Sequence, residues 1–374
     1  MNGNLRVGNL FGIPFYVNIS WFLVLGLVTW DYGGGLAAAF PQLAGALPWL
    51  LGFGAALMLF ASVLAHELGH SFAAQRQGIG VNSITLFLFG GLAALEKESE
   101  TPQGAFWVAI AGPLVSFALF ALFFALGQGL ALTGPLAALV GLLAYINLAL
   151  GAFNLIPGMP LDGGNVLKAI VWQMTGQPHK GLVFASRVGQ WLGWTAIALG
   201  AASVVGLSPL GSIWTLLIGL FMLQNANRTA QFGELQGRLE GLTAGDAVVQ
   251  NSPMVEATTD LREFADTVLW TGPSPWRKFL VTDAEGSLVG TVRVDALRQV
   301  PPELWPSKIV ADVMEAPTAL TTVPADQPLL EVLKTLETQQ IPALAVIQRD
   351  GSLAGLLETV SIQALLQRSP APVA

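Results

Sequence analysis

The chain has 374 residues, of which 53% are hydrophobic and only 11% charged, against roughly 25% charged in an ordinary soluble domain. Its net charge of −7 lies in the last third: residues 1–240 hold 8 Lys/Arg and 8 Asp/Glu, and residues 241–374 hold 9 and 16. An apolar part therefore precedes an acidic, soluble one, with no basic stripe for a nucleic acid and no cysteine for disulfides, thiolate metal sites or nucleophilic catalysis.

Residues 7–30, 32–65, 101–161 and 188–227 contain no Asp, Glu, Lys, Arg or His. A membrane-spanning helix needs about 20 apolar residues. Turn signals inside the longer stretches give six spans, near 14–30, 48–76, 104–126, 134–157, 182–206 and 210–227. The alternative for the first is a signal peptide cleaved near Ala37-Ala38-Ala39, which would leave the remaining loops on the wrong side. With six spans, Arg6, Arg76, Lys97, Lys168, Lys180, Arg187, Arg228 and Arg238 all fall on one side, and the opposite loops carry no Lys or Arg. That asymmetry puts both termini and the acidic domain in the cytoplasm of a multi-pass protein of the cell membrane.

Span 2 carries His66-Glu67-Leu68-Gly69-His70. Residues i and i+4 share a helix face, so both imidazoles can reach one metal ion, with Glu67 beside them to take a proton from water. Charged and metal-ligating groups within a membrane span are functional by default. After span 2, residues 79–100 are β-prone through Phe89-Gly90-Gly91 and then acidic, which predicts a hairpin at the membrane surface. In span 3, Ala111-Gly112-Pro113 and Ser116 read as close helix packing, and Asn147 in span 4 and Gln190 in span 5 as polar contacts between helices.

Two histidines do not complete a catalytic zinc site, which has three protein ligands and an open position. Asp162 ends a 61-residue uncharged stretch in the segment Asn154-Leu155-Ile156-Pro157-Gly158-Met159-Pro160-Leu161-Asp162-Gly163-Gly164. It lies at the depth of the histidines on the same side, and is the candidate third ligand; its competing role is a helix cap worth about 1 kcal/mol. His179 reads as a loop residue and Met159 as local packing.

This pairing of H-E-x-x-H with N-x-x-P-x-x-P-L-D-G-G, over about residues 1–230, resembles the site-2 protease family of intramembrane metalloproteases. The resemblance implies one zinc per chain on His66, His70 and Asp162, with Glu67 as general base. It also implies that Asn154 contacts the substrate backbone or scissile carbonyl. Phe89-Gly90-Gly91 looks like the family's membrane-associated strand and loop, which holds an unwound substrate by strand addition. The implied substrate is a single-span membrane protein, such as an anti-sigma factor or sigma-factor precursor, cut in regulated intramembrane proteolysis. A transporter or channel is the competing class, but the other spans offer almost none of the polar groups it would need.

Residues 231–240 read as a linker, and 241–374 as two copies of one α/β unit, at about 241–304 and 305–370. Asp283-Ala284-Glu285-Gly286-Ser287-Leu288 reappears as Arg349-Asp350-Gly351-Ser352-Leu353, and each copy predicts a short strand, a helix (261–270, 328–338), two strands about an Asp/Gly turn, and a closing helix. The pair is similar to a tandem CBS domain. The fold expected is thus an α-helical polytopic membrane domain with a membrane-associated β-hairpin, followed by an α/β tandem CBS domain. Adenosine-binding CBS repeats carry G-x-x-T-x-x-D; here Arg293 replaces the Thr with Asp295 one place early, and Glu358 and Ser361 stand in the second copy. A carboxylate near phosphates repels them, so the pair reads as a dimerisation or docking module that binds ATP poorly, with a shifted first-copy site as the alternative.

Overall fold

The computed structural model describes residues 3–43, 45–88, 90–249, 252–270, 278–316, 322–339, 341 and 343–368. They form two compact units, residues 1–234 and 235–374.

The first unit opens with a hairpin, β1 (Asn4–Leu10) and β2 (Ile13–Asn18), closed by Phe11 and Gly12, both at positive φ (53° and 84°). Such a two-residue turn matches the twist of its strands. Helix α1 (Ser20–Ala39) follows, so the first apolar stretch does not begin as a helix near 14, and the expected first span is corrected to Ser20–Ala39. Hydropathy over a window cannot separate an apolar strand such as Ile13–Asn18 from the start of a span. Then come α2 (Leu47–Gln75), β3 (Val81–Phe87), β4 (Gly90–Leu95), α3 (Pro102–Gly129), α4 (Gly134–Asn154), α5 (Asp162–Thr175), α6 (Pro178–Val204) and α7 (Ile213–Leu239). The hairpin expected within 79–100 is β3–β4, and it joins β1–β2 in one sheet of order β1-β2-β3-β4, with β2 parallel to β3.

Among the described residues α1, α2, α3 and α4 are long and apolar enough to cross a membrane. Helices α6 and α7 have 27 residues each and carry more charge. Residues 231–239, expected as linker, continue α7. The pairs α1–α2, α2–α3 and α3–α4 pack together. Gly69 lets α2 and α3 approach: a Cβ there would stand 2.8 Å from the Ala111 carbonyl oxygen.

The second unit holds two copies of one motif. In the first, β5 (Met254–Glu256), α8 (Leu261–Trp270), β6 (Lys278–Thr282) and β7 (Leu288–Arg293) give a sheet of order β5-β6-β7. In the second, β8 (Thr322–Pro324), α9 (Leu329–Gln339), β9 (Ala343–Ile347), β10 (Leu353–Glu358) and α10 (Thr359–Arg368) repeat that order and pairing. Each copy buries its own core, Leu261, Phe264, Val281 and Val292 in one and Leu329, Val332, Leu344, Val346 and Leu357 in the other. The closing helix appears as α10 only in the second copy. The first closes with 3-10 turns, Val294–Gln299 and Pro302–Ser307, and Pro301, Pro302 and Pro306 keep an α-helix from running on past the first of them.

Candidate metal centre

Helix α2 is buried along the face that carries Ser62, His66, Glu67, Gly69 and Ser71. The four-residue spacing puts His66 and His70 one above the other, with ring centroids 4.9 Å apart. The loop after α4 returns the chain so that Asp162, first residue of α5, reaches both rings. Its Oδ2 lies 3.0 Å from His66 Nε2 and 3.3 Å from His70 Nε2, and the two Nε2 atoms are 3.2 Å apart. The structure thus brings together the three residues expected as ligands, from two helices 96 residues apart.

Helix α3 holds both outer nitrogens. His70 Nδ1 lies 2.7 Å from the Val108 carbonyl oxygen, which can only accept, so Nδ1 carries a proton and Nε2 is the nitrogen turned inward. His66 Nδ1 lies 2.9 Å from Ser116 Oγ. Two ring nitrogens and a carboxylate oxygen then meet at 3.0–3.3 Å in a buried place. Such a set is repulsive unless a cation sits among it. Zinc ligands at about 2.0–2.1 Å in a tetrahedron are about 3.3–3.4 Å apart, so this donor set fits zinc. Imidazoles oriented by a hydrogen bond on the far nitrogen are the usual support for such a site.

Helix α3 supplies that support with one stripe, Val108, Gly112 and Ser116, at the same four-residue spacing as the histidines. A Cβ on Gly112 would collide with His70 Nε2 and stand 2.7 Å from His66 Nε2. Gly112 and Ser116 were legible only as helix packing, since glycine and serine are common at membrane helix contacts; their four-residue spacing was the available signal.

Glu67 is 9% exposed and lies against the sheet while interacting electrostatically with His70, His66 and Asp162. A Cβ on Gly91 would collide with its Cγ and stand 2.8 Å from Oε1, and the Ala93 backbone N–H lies beside its carboxylate. Strand β4 therefore runs along the general-base candidate, with Gly90 and Gly91 at its start. Phe89 lies outside the described residues. Asn154 closes α4 and is half-buried, and the structure shows no bond from it to the ligand set.

In the second unit the departures from the adenosine pattern have structural form. Arg293 donates to Asp295 at 2.6 Å, so these two charges satisfy each other. The Ser361 hydroxyl donates to the Glu358 carbonyl at 2.7 Å and accepts from the Glu358 N–H. Partial burial pushes the Glu358 carboxyl above its ordinary range.

Comparison with known proteins gives a consistent picture. The model of Peptidase family M50 matches residues 54–140 and 128–195, and the CBS domain model matches residues 310–364. A Synechocystis sp. protein named as a zinc metalloprotease, sll0528, is 54% identical over 371 residues, covering 99% of this chain and 97% of the relative. Rip3 of Mycobacterium tuberculosis, also named as a zinc metalloprotease, is 33% identical over 98% of this chain and 93% of its own. Among solved structures, the site-2 protease from Methanocaldococcus jannaschii is 30% identical, with 61% of this chain and 95% of that one covered and a TM-score of 0.43.

Proposed function

This chain belongs to peptidase family M50 and is a zinc metalloprotease with a C-terminal CBS domain, and we propose that it cuts the membrane-spanning helix of another protein. The observation that carries the reading is the convergence of His66, His70 and Asp162 inside a bundle of membrane-capable helices.

His66, His70 and Asp162 would hold the zinc, which when bound supplies Lewis-acid activation of water and of the scissile carbonyl. Glu67 takes the proton from the attacking water at a carboxylate oxygen. The water oxygen adds to the peptide carbonyl carbon, and the C–N bond breaks as Glu67 passes that proton to the leaving nitrogen. Gly91 lets β4 lie against Glu67, which holds the carboxylate in place. A substrate helix keeps its carbonyls in internal hydrogen bonds, so it must unwind to react. Strand β4 ends the sheet order and offers its outer edge to an unwound segment, with Gly90 and Gly91 beside the base and Asn154 contacting the substrate backbone.

The further assignments rest on the charge pattern and the family likeness. The chain crosses the cell membrane six times, with both termini and the CBS pair in the cytoplasm. Its substrate is a single-span regulator, of the anti-sigma or sigma-precursor kind, released by regulated intramembrane proteolysis. The CBS pair serves dimerisation or docking.

Two experiments test this reading. Co-expression with candidate single-span substrates should give a cleaved product with the parent and none with Glu67→Gln; product from Glu67→Gln at the parental rate refutes the base assignment. Reporter fusions after residues 96 and 236 should report cytoplasm and those near 33 and 131 the other side. An external signal at 236 removes an odd number of spans.

A further inference from the structure

Two segments lead away from the catalytic residues. Strand β4 starts at Gly90 and Gly91, against Glu67, and ends at Leu95. Helix α5 starts at Asp162, which interacts electrostatically with Glu67 across the floor between the two segments. Each has its own support: β4 pairs with β3 and lies on α2, and α5 lies on α3 and α6. The outer edge of β4 has no strand partner among the described residues. An ion pair bridges the two segments farther out. Glu98, in the loop that follows β4, accepts from Lys168 Nζ of α5 at 2.6 Å.

We propose that Lys168 and Glu98 form a latch across the mouth of the groove between α5 and β4, which opens to admit an unwound substrate segment to the free edge of β4. The two partners are unequal. The Lys168 side chain is 12% exposed, so its stem is packed and its ammonium is held in place, whereas the Glu98 side chain is 71% exposed on a loop. Helix α5 is tightly seated: a Cβ on Gly164 would stand 2.5 Å from the Met159 nitrogen, and one on Gly181 would collide with the Lys168 carbonyl oxygen. The moving part is therefore the Glu98 loop, and the helix that carries Asp162 stays still when the pair parts.

An ion pair with one partner in solvent is weak and screened by salt, so thermal motion opens it, and more often as ionic strength rises. Such a closure gates access without touching the reacting atoms. The latch rests on the contact itself; the admission step rests on the reading of β4 as the substrate strand.

The chain has no cysteine, so two introduced thiols are addressed alone in the intact protein. Spin labels on Ser99→Cys and Gln173→Cys flank the ion pair and leave both partners in place, and double electron–electron resonance reads the distance across the mouth. Low salt should give one short distance, and adding Glu98→Gln, or raising salt to about 1 M, should bring in a longer population. Distances that Glu98→Gln leaves unchanged overturn the latch. The admission step is tested by a tether: Glu98→Cys with Lys168→Cys, joined by a disulfide-containing bismaleimide, is held shut until reductant cuts the linker, and N-ethylmaleimide on the same pair controls for modification alone. The substrate is a synthetic single-span peptide of about 20 apolar residues with Asn-Pro at its centre to weaken the helix. The tethered protein should keep its zinc and cut the peptide about tenfold or more slower than the N-ethylmaleimide control, and reduction should restore the rate. Equal rates overturn the admission step. A peptide left uncut by every form counts against the hydrolytic reading, and the label distances still decide the latch.

Discussion

Consider replacing Gly112 by alanine. The added methyl would collide with His70 Nε2, and would stand 2.6 Å from His70 Cε1 and 2.7 Å from His66 Nε2, where ordinary contact begins at 3.4 Å. Relief requires shifts of at least about 0.7–0.8 Å in rings whose other nitrogens hold hydrogen bonds to Val108 and Ser116. Metal–ligand distances tolerate only about ±0.2 Å. Overpacking a tight contact costs about 1–3 kcal/mol in stability, and displacement of this size should weaken metal binding at least as much as losing an outer-shell partner, about 10–100-fold. The assay is zinc retained by the purified protein under a graded chelator challenge, with thermal unfolding alongside. Gly141→Ala is the control, since a Cβ there meets nothing within 4 Å. If Gly112→Ala keeps zinc as well as Gly141→Ala does, α3 does not abut the metal face and the site is wrongly built.

Three more outcomes follow from the same geometry. Ser116→Ala removes the partner of His66 Nδ1 and should lower zinc affinity about 10–100-fold without unfolding the bundle, read by competition with a zinc dye. Gly91→Ala drives a methyl into Glu67 and should reduce kcat while leaving zinc content unchanged; loss of zinc instead would place β4 on the ligands. Calorimetry on the intact protein should show no micromolar binding of ATP, ADP or AMP, because Asp295 is paired with Arg293 and the Ser361 hydroxyl is engaged by the Glu358 backbone. Micromolar affinity would mean that those residues rearrange for a nucleotide.

What could be read from the sequence depended on how local the signal was. His66 and His70 are fixed by helical spacing, and Asp162 stood out because it ends a long uncharged run at the depth of the histidines, which separated the ligand reading from a helix cap. The duplicated unit was visible in its Asp/Gly turns, which the structure shows as Ser287 and Ser352 amides bonded to Asp283 and Asp350. The N-terminal hairpin was hidden because an apolar strand and the first turns of a span have the same hydropathy. The support from Val108 is a backbone carbonyl, which no sequence pattern marks. Asn147 was visible as a polar residue in an apolar helix, and the structure supplies its partner on α2, Ser62.

The central claim is that two helices far apart in sequence close one zinc site, and the metal content of Asp162→Ala tests it most directly. The purified parent should hold about one zinc per chain, as a catalytic set of three protein ligands does. Asp162→Ala should be folded by circular dichroism and elution volume yet lose most of its zinc, while His179→Ala retains it. Full zinc in Asp162→Ala, with His66→Ala and His70→Ala empty, would contradict the account and require a different third ligand.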